Sequence, residues 1–225
     1  MTFIIGYFLH NEGETKRHML YHNLIWDFDG TLFDSYPHIL AAYIRALADF
    51  GRTVDADALL AHLKINFGAA HQYVQPTEEI RERFNAYEHD IQFAPKAELY
   101  PGMKELLCDT HAAGVRHFLF THRGNLALTY MEGAGILDLF TGIVTADTKE
   151  HFAYKPDPKS ILYLLEAYQI PADDCAMIGD REVDVLSGIR ACTDGILFDE
   201  FHNLGETVAQ YRVHSIAAMR ELLFL

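Results

Sequence analysis

The run Leu24-Ile25-Trp26-Asp27-Phe28-Asp29-Gly30-Thr31-Leu32-Phe33-Asp34-Ser35 decides how this chain is read. Three apolar residues suited to a buried strand end abruptly on an aspartate, and a second aspartate follows at the next alternate position. Gly30 then lets the backbone turn, so Asp27 and Asp29 can reach the same point. Two carboxylates at the end of a buried strand can divide the work of nucleophile and proton donor. A surface turn with scattered acids is the alternative, and it fits poorly with an apolar strand leading straight into the acids.

Other apolar runs end in the same way. His117-Phe118-Leu119-Phe120 meets Thr121, Ile143-Val144 meets Thr145, and Cys175-Ala176-Met177-Ile178-Gly179 meets Asp180; Gly195-Ile196-Leu197-Phe198 follows. Helical patterns lie between them at about residues 102–113, 124–134, 158–168 and 182–190. Regular alternation of strand and helix predicts an α/β fold, a Rossmann-like doubly wound parallel sheet with helices on both faces. Ligands bind such sheets at the carboxyl ends of the strands. Asp27, Thr121 and Asp180 are therefore expected to converge.

Residues 36–98 break the alternation. Ile39, Leu40, Tyr43, Ile44, Leu47 and Phe50 share one helical face, with Pro37 suited to a first turn and Gly51 just past the end. Asp55 and Thr77 are candidate caps for two more helices, the second carrying Ile80, Phe84, Tyr87 and Ile91 inward. The expected organisation is an α/β catalytic core over 21–35 and 99–225, interrupted by an inserted all-α cap over 36–98. Residues 1–20 fit no predicted element and form an N-terminal extension. The segment His62-Leu63-Lys64-Ile65-Asn66-Phe67-Gly68 joins cap helices; Lys64 and Asn66 either contact substrate or belong to an ordinary connection.

The 225 residues are half hydrophobic and 22% charged, enough for a substantial core. With 18 Lys and Arg against 32 Asp and Glu, the net charge of -14 repels nucleic acid and anionic lipid alike. No nucleic-acid or membrane partner is expected, and no apolar run reaches membrane-spanning length. An anionic substrate therefore needs a local positive centre. Cys108, Cys175 and Cys192 form no Cys-x-x-Cys pair and read as reduced thiols, which places the expected location in the cytoplasm. The 13 histidines make no His-x-x-x-His zinc pattern.

In order along the chain, Asp27-Phe28-Asp29-Gly30-Thr31, Thr121 in Phe120-Thr121-His122-Arg123-Gly124, Lys155 in Tyr154-Lys155-Pro156, and Gly179-Asp180-Arg181-Glu182-Val183-Asp184 resemble the four motifs of the haloacid dehalogenase superfamily. The insertion's position resembles the small helical cap of phosphoglycolate phosphatases and β-phosphoglucomutases. The resemblance implies a Mg²⁺-dependent phosphatase acting on a small phosphorylated metabolite, phosphoglycolate-like or a sugar phosphate, through an aspartyl-phosphate. Asp27 is then the nucleophile and Asp29 the acid and base. Thr121 and Lys155 stabilise the phosphoryl group, and Gly30 and neighbouring amides complete its cradle. Asp27, Asp180 and the carbonyl of Asp29 hold the metal, with Asp184 as a direct or water-mediated partner, or alternatively an ion-pair partner of Arg181 or Lys155.

Asp29 also argues against the dehalogenase and phosphonatase branches, which the chain resembles in fold but which lack a carboxylate two residues after the nucleophile. His122 and Arg123 follow Thr121 in the same loop. Arg123 either meets a distal anionic group of the substrate or is a solvated or ion-paired arginine. A phosphomutase would use the same residues, and net release of inorganic phosphate separates it from a phosphatase. A catalytically idle binding protein of the same fold would not need the full acid, threonine and lysine set.

Overall fold

In chain order the elements are β1 (Asn23–Trp26), β2 (Phe33–Asp34), α1 (Tyr36–Asp49), α2 (Ala56–Ile65), α3 (Phe67–Val74), α4 (Glu78–Glu88) and β3 (Glu98–Leu99). Strand and helix then alternate through α5 (Met103–Ala112), β4 (Arg116–Phe120), α6 (Leu126–Ala134), β5 (Phe140–Val144), α7 (Lys159–Ala167), β6 (Cys175–Gly179) and α8 (Glu182–Arg190). The chain closes with β7 (Asp194–Phe198), β8 (Tyr211–Val213) and α9 (Ile216–Leu223). This computed structural model describes residues 19–202 and 204–224. Most of the N-terminal extension, residues 1–18, lies outside them. Met19 and Leu20 are tied to the other end of the chain: Met19 bridges Phe224, and the Leu20 N–H donates to the Leu223 carbonyl at 3.1 Å.

The six-stranded sheet runs β5-β4-β1-β6-β7-β8, with every pair parallel. β1 lies inside it, buried at all four residues, which is why its sequence is an unbroken apolar run into Asp27. Side chains alternate between the two faces. Leu24, Trp26, Leu119 and Ile178 join Leu106, Leu107, Met131 and Met219 from α5, α6 and α9. Ile25, Phe118, Phe120 and Met177 join Ile161 and Leu164 of α7 on the opposite face. Each large side chain fully buried there contributes about 1.5–3 kcal/mol.

A polar cluster sits inside the first layer. His117 of β4 is fully buried; its Nδ1 accepts the Trp26 indole N–H at 3.1 Å, and its Nε2 lies 3.1 Å from Thr110 Oγ1 and 3.3 Å from the Leu107 carbonyl. That arrangement needs a neutral ring with its proton on Nε2. Burial pushes the His117 pKa down to about 4.

Helices α1–α4 are inserted between β2 and β3, which pair antiparallel through Phe33 with Leu99 and Asp34 with Glu98. They enclose their own apolar cluster, including Ile39, Tyr43, Leu47, Leu59, Leu63, Ile80 and Phe84. On α1 these positions recur at helical spacing, and Gly51 just beyond the helix takes a positive φ of 66°. The side chains of Asp55 and Thr77 cap α2 and α4, as their sequence contexts predict.

Three details differ from expectation. Phe50 is 45% exposed at the end of α1 rather than inward. α4 stops at Glu88, so Ile91 lies beyond it and packs against the core of the α/β layer. The expected connection from His62 to Gly68 is almost all helix. Asn66 alone separates α2 from α3, and its Oδ1 accepts the Ala69 N–H at 2.8 Å as an N-cap.

Candidate active site

The parallel ladder carries β1 and β4 to the same edge. The Asp27 N–H donates to the Ile178 carbonyl at 2.9 Å, and the Thr121 N–H donates to the Val144 carbonyl at 3.1 Å. Both side chains therefore emerge where strand pairing ends. Asp180 follows β6 directly, and Asp184 looks back from the first turn of α8, where its Oδ2 accepts the Arg181 N–H at 3.0 Å. Single carboxylate oxygens of Asp27, Asp180 and Asp184 lie within 4.8 Å of one another.

Gly30 makes this approach possible in two ways. Its φ of 73° suits a residue without a side chain, and a Cβ there would collide with the Asp180 carboxylate and the Tyr36 ring.

Lys155 is fully buried among these acids. Its Nζ donates to Asp27 Oδ1 at 2.5 Å and lies 2.8 Å from Asp184 Oδ1. The Lys155 N–H donates to His122 Nε2 at 2.7 Å, which assigns His122 to anchoring the lysine loop. Burial, and then the charges of Lys155 and Arg181, push the His122 pKa down to about 3, so this ring accepts as a neutral imidazole.

Arg123 is buried as well. Its Nη2 donates to Asp29 Oδ1 at 2.8 Å, its Nε lies within 3.3 Å of both Asp29 oxygens, and its Nη1 pairs with Glu88 at the end of α4. Of the two alternatives for Arg123, this geometry is the ion-paired one. Thr121 Oγ1 accepts the Arg123 N–H at 3.0 Å, which leaves the hydroxyl proton free to donate.

The insertion residues Lys64 and Asn66 do not act together. Asn66 lines the cavity beside the acids, although its oxygen is used by the α3 cap. Lys64 lies 2.9 Å from the centre of the Phe201 ring and lines a small recess with Gly30, Tyr36, Asp180 and Glu200, on the other side of Tyr36 from that cavity. Asp147, in a neighbouring loop, accepts the Asn125 N–H at 2.7 Å.

Tyr36 and Glu88 were not singled out by sequence reasoning, and Arg181 was named only as a possible ion-pair partner of Asp184. Tyr36 donates its hydroxyl to Asp180 Oδ2 at 2.6 Å. Glu88 faces Arg123 across from the insertion, and the Arg181 Nε lies 3.7 Å from Asp180 and 3.8 Å from Asp184. Only Arg181 carried a signal, being embedded in the last motif.

The charges do not balance within this set. Among the described residues, the five carboxylates of Asp27, Asp29, Asp180, Asp184 and Glu88 pair with three permanent cations, Lys155, Arg123 and Arg181, and Glu88 also with the neighbouring His89 ring, so acids outnumber cations. Burial raises Asp180 to about 8, against the pull of Arg181, and raises Asp27 to about 6, against the pull of Lys155. Burial also opposes ionisation of Asp184 and Asp29, but Lys155 and Arg181 outweigh it for the first and Arg123 for the second, holding both low. Asp27 Oδ2 and Asp180 Oδ1 are buried without a hydrogen-bond partner. A hard divalent cation fits this set: it takes oxygen ligands, would engage both unpartnered oxygens, and supplies the missing positive charge.

A family profile described as haloacid dehalogenase-like hydrolase matches residues 24–198. The chain is 28% identical over 204 residues to the phosphoglycolate phosphatase of Colwellia psychrerythraea, an alignment covering 84% of this chain and 88% of that protein. It is also 28% identical over 200 residues to the phosphoglycolate phosphatase of Vibrio cholerae, covering 83% and 88% respectively. Among solved structures, a hydrolase from Streptococcus pneumoniae is 34% identical with a TM-score of 0.66, over 92% of this chain and all of that one. A HAD-superfamily hydrolase of subfamily IA from Geobacter sulfurreducens is 25% identical with a TM-score of 0.71, over 90% of this chain and all of that one. With its sheet order, its converging aspartates and a profile match spanning most of its length, the chain belongs to the haloacid dehalogenase-like hydrolases.

Proposed function

We propose that this hydrolase is a Mg²⁺-dependent phosphatase that cleaves small-molecule phosphate monoesters through a phosphoryl group held covalently on Asp27. One observation carries the reading: Asp27 at the end of β1 is held by Lys155 beside Asp180 and Asp184, with an unpartnered oxygen of its own and a local deficit of positive charge. The names of the curated relatives support a phosphate ester as the substrate.

Asp27, Asp180 and the Asp29 carbonyl would hold the metal, with Asp184 adjacent. When bound, Mg²⁺ neutralises charge on the phosphate and on the carboxylates that face it. Asp27 attacks phosphorus and splits one difficult displacement into two easier ones. Lys155 fixes the Asp27 carboxylate and offers positive charge to the transferring group. Thr121 donates its free hydroxyl proton to a phosphoryl oxygen. Asp29 gives a proton to the departing alkoxide, then takes one from the water that releases phosphate. Pairing with Arg123 favours the ionised form of Asp29, which suits the second step. Delivery of a proton in the first step requires that pairing to loosen.

The test is a phosphate-release assay across small phosphomonoesters with and without Mg²⁺. Release that needs Mg²⁺ and disappears in Asp27→Asn supports the reading. Release that persists in Asp27→Asn refutes the covalent route.

A further inference from the structure

The cavity between the insertion and the sheet edge is far roomier than the smallest phosphate esters require, and its walls are aromatic. From the geometry we infer that the substrate is a phosphate monoester whose alcohol carries a flat, unsaturated ring, not a two-carbon acid; this rests on the phosphatase reading above. The cavity volume is about 700 Å³, within the range that encloses drug-sized organic ligands. Asp29, Lys155 and Arg181 form its floor. On the insertion side stand Phe67 and Phe84, with ring centres 6.0 Å apart, beside Ile39 and Leu63. On the core side stand His122 and Tyr154, with ring centres 5.1 Å apart. Phe67 and Tyr154 are 38% and 70% exposed, although large apolar rings gain from burial. A planar group entering between these walls would cover both.

The distribution of charge supports the same conclusion by exclusion. A two-carbon acid phosphate brings a second carboxylate, which needs a cation close to the phosphate site. Among the described residues lining this cavity, every lysine and arginine already faces a carboxylate, while Lys64, in the adjoining recess with Gly30 and Asp180, is taken up by the Phe201 ring. Lys155 faces Asp27 and Asp184, Arg181 faces Asp180 and Asp184, Arg123 faces Asp29 and Glu88, and Arg81 faces Glu78. Arg123, which follows Thr121 and stands nearest in sequence to the phosphate cradle, is the most fully committed. The remaining polar lining, such as Asn85 and His71, suits the hydrogen-bonding edge of a heterocycle.

The experiment compares kcat/KM of the full chain with Mg²⁺ for pyridoxal 5′-phosphate, uridine 5′-monophosphate and 2-phosphoglycolate. All three are alkyl esters, so leaving-group ability does not separate them, and the first two distinguish a pyridine from a nucleoside. Acetyl phosphate serves as the general phosphate donor. The expected result is a preference of about tenfold or more for at least one ring-bearing ester over 2-phosphoglycolate. Phe67→Ala lowers the ratio of kcat/KM on that ester to kcat/KM on acetyl phosphate by roughly tenfold. Tyr154→Ala, at the exposed rim, lowers the same ratio should Phe67→Ala fail to fold. The free alcohol of the preferred ester, pyridoxal or uridine, inhibits competitively in wild type and more weakly in the variants. Equal or better turnover of 2-phosphoglycolate overturns the inference while leaving the phosphatase reading intact, as does an unchanged ratio in both variants. Absence of phosphate release from all three esters and from acetyl phosphate, an acyl phosphate, overturns the phosphatase reading and this inference with it.

Discussion

His117 makes the stability of this fold depend on pH in a way that can be isolated. The ring is buried, accepts from Trp26 on Nδ1, and has its pKa lowered to about 4 against an ordinary value of 6.5. As pH falls, the unfolded chain binds the proton first. The stabilisation is complete above pH 6.5 and is lost between 6.5 and about 4. At 1.36 kcal/mol per unit, the shift is worth about 3 kcal/mol. His117→Asn removes the titration while keeping an acceptor where Nδ1 stood. The smaller side chain subtracts a constant that does not vary with pH. Urea denaturation of both proteins from pH 7 to pH 4 measures the effect, and acids elsewhere cancel in the comparison. The advantage of wild type over the variant shrinks by about 3 kcal/mol across that range. A gap that stays constant would refute the neutral, buried assignment of His117.

Further outcomes follow from the site and the insertion. Adding Mg²⁺ raises Tm in wild type and EDTA reverses the rise, whereas Asp180→Asn shows a much smaller response in the same thermal scan. Glu88→Gln leaves Arg123 to Asp29 alone, which favours the ionised acid; kcat falls several-fold for alkyl phosphates and less for p-nitrophenyl phosphate, whose leaving group needs little protonation. Asn66→Ala removes the α3 cap and costs about 1 kcal/mol in chemical denaturation. Lys155→Met leaves Asp27 and Asp184 facing each other without their shared cation, and destabilises the metal-free protein by roughly 3 kcal/mol.

The central strands were legible because burial on both faces writes itself as continuous apolar sequence, as in Leu24-Ile25-Trp26 and Cys175-Ala176-Met177-Ile178. The polar residue ending each run marked the sheet edge, so the meeting of Asp27, Asp180 and Thr121's strand followed from topology. Short edge elements carry a weaker signal. Tyr211-Arg212-Val213 pairs on one side only, and neither it nor α9 was anticipated. α3 escaped because one residue, Asn66, ends one helix and starts the next, a break shorter than the period that reveals a helix. Tyr36 and Glu88 were invisible for another reason: their partners, Asp180 and Arg123, are 144 and 35 positions away, and nothing local fixes such a pairing. Lys64 shows the converse. Its place in the chain suggested the site, and it does line a recess with Gly30 and Asp180, but its ammonium lies over the ring of Phe201, 137 positions away.

The pairing of Phe33 with Leu99 and Asp34 with Glu98 brings together the two points where the chain leaves and rejoins the layered core. Sixty-odd residues are thereby hung from a clasp one strand wide, because paired strands stand only about 5 Å apart. A module attached at so narrow a junction can be lengthened, shortened or exchanged without any sheet strand changing register. Inheritance can then act on two parts of one polypeptide separately, holding the reactive groups fixed while the helices that judge the incoming molecule drift.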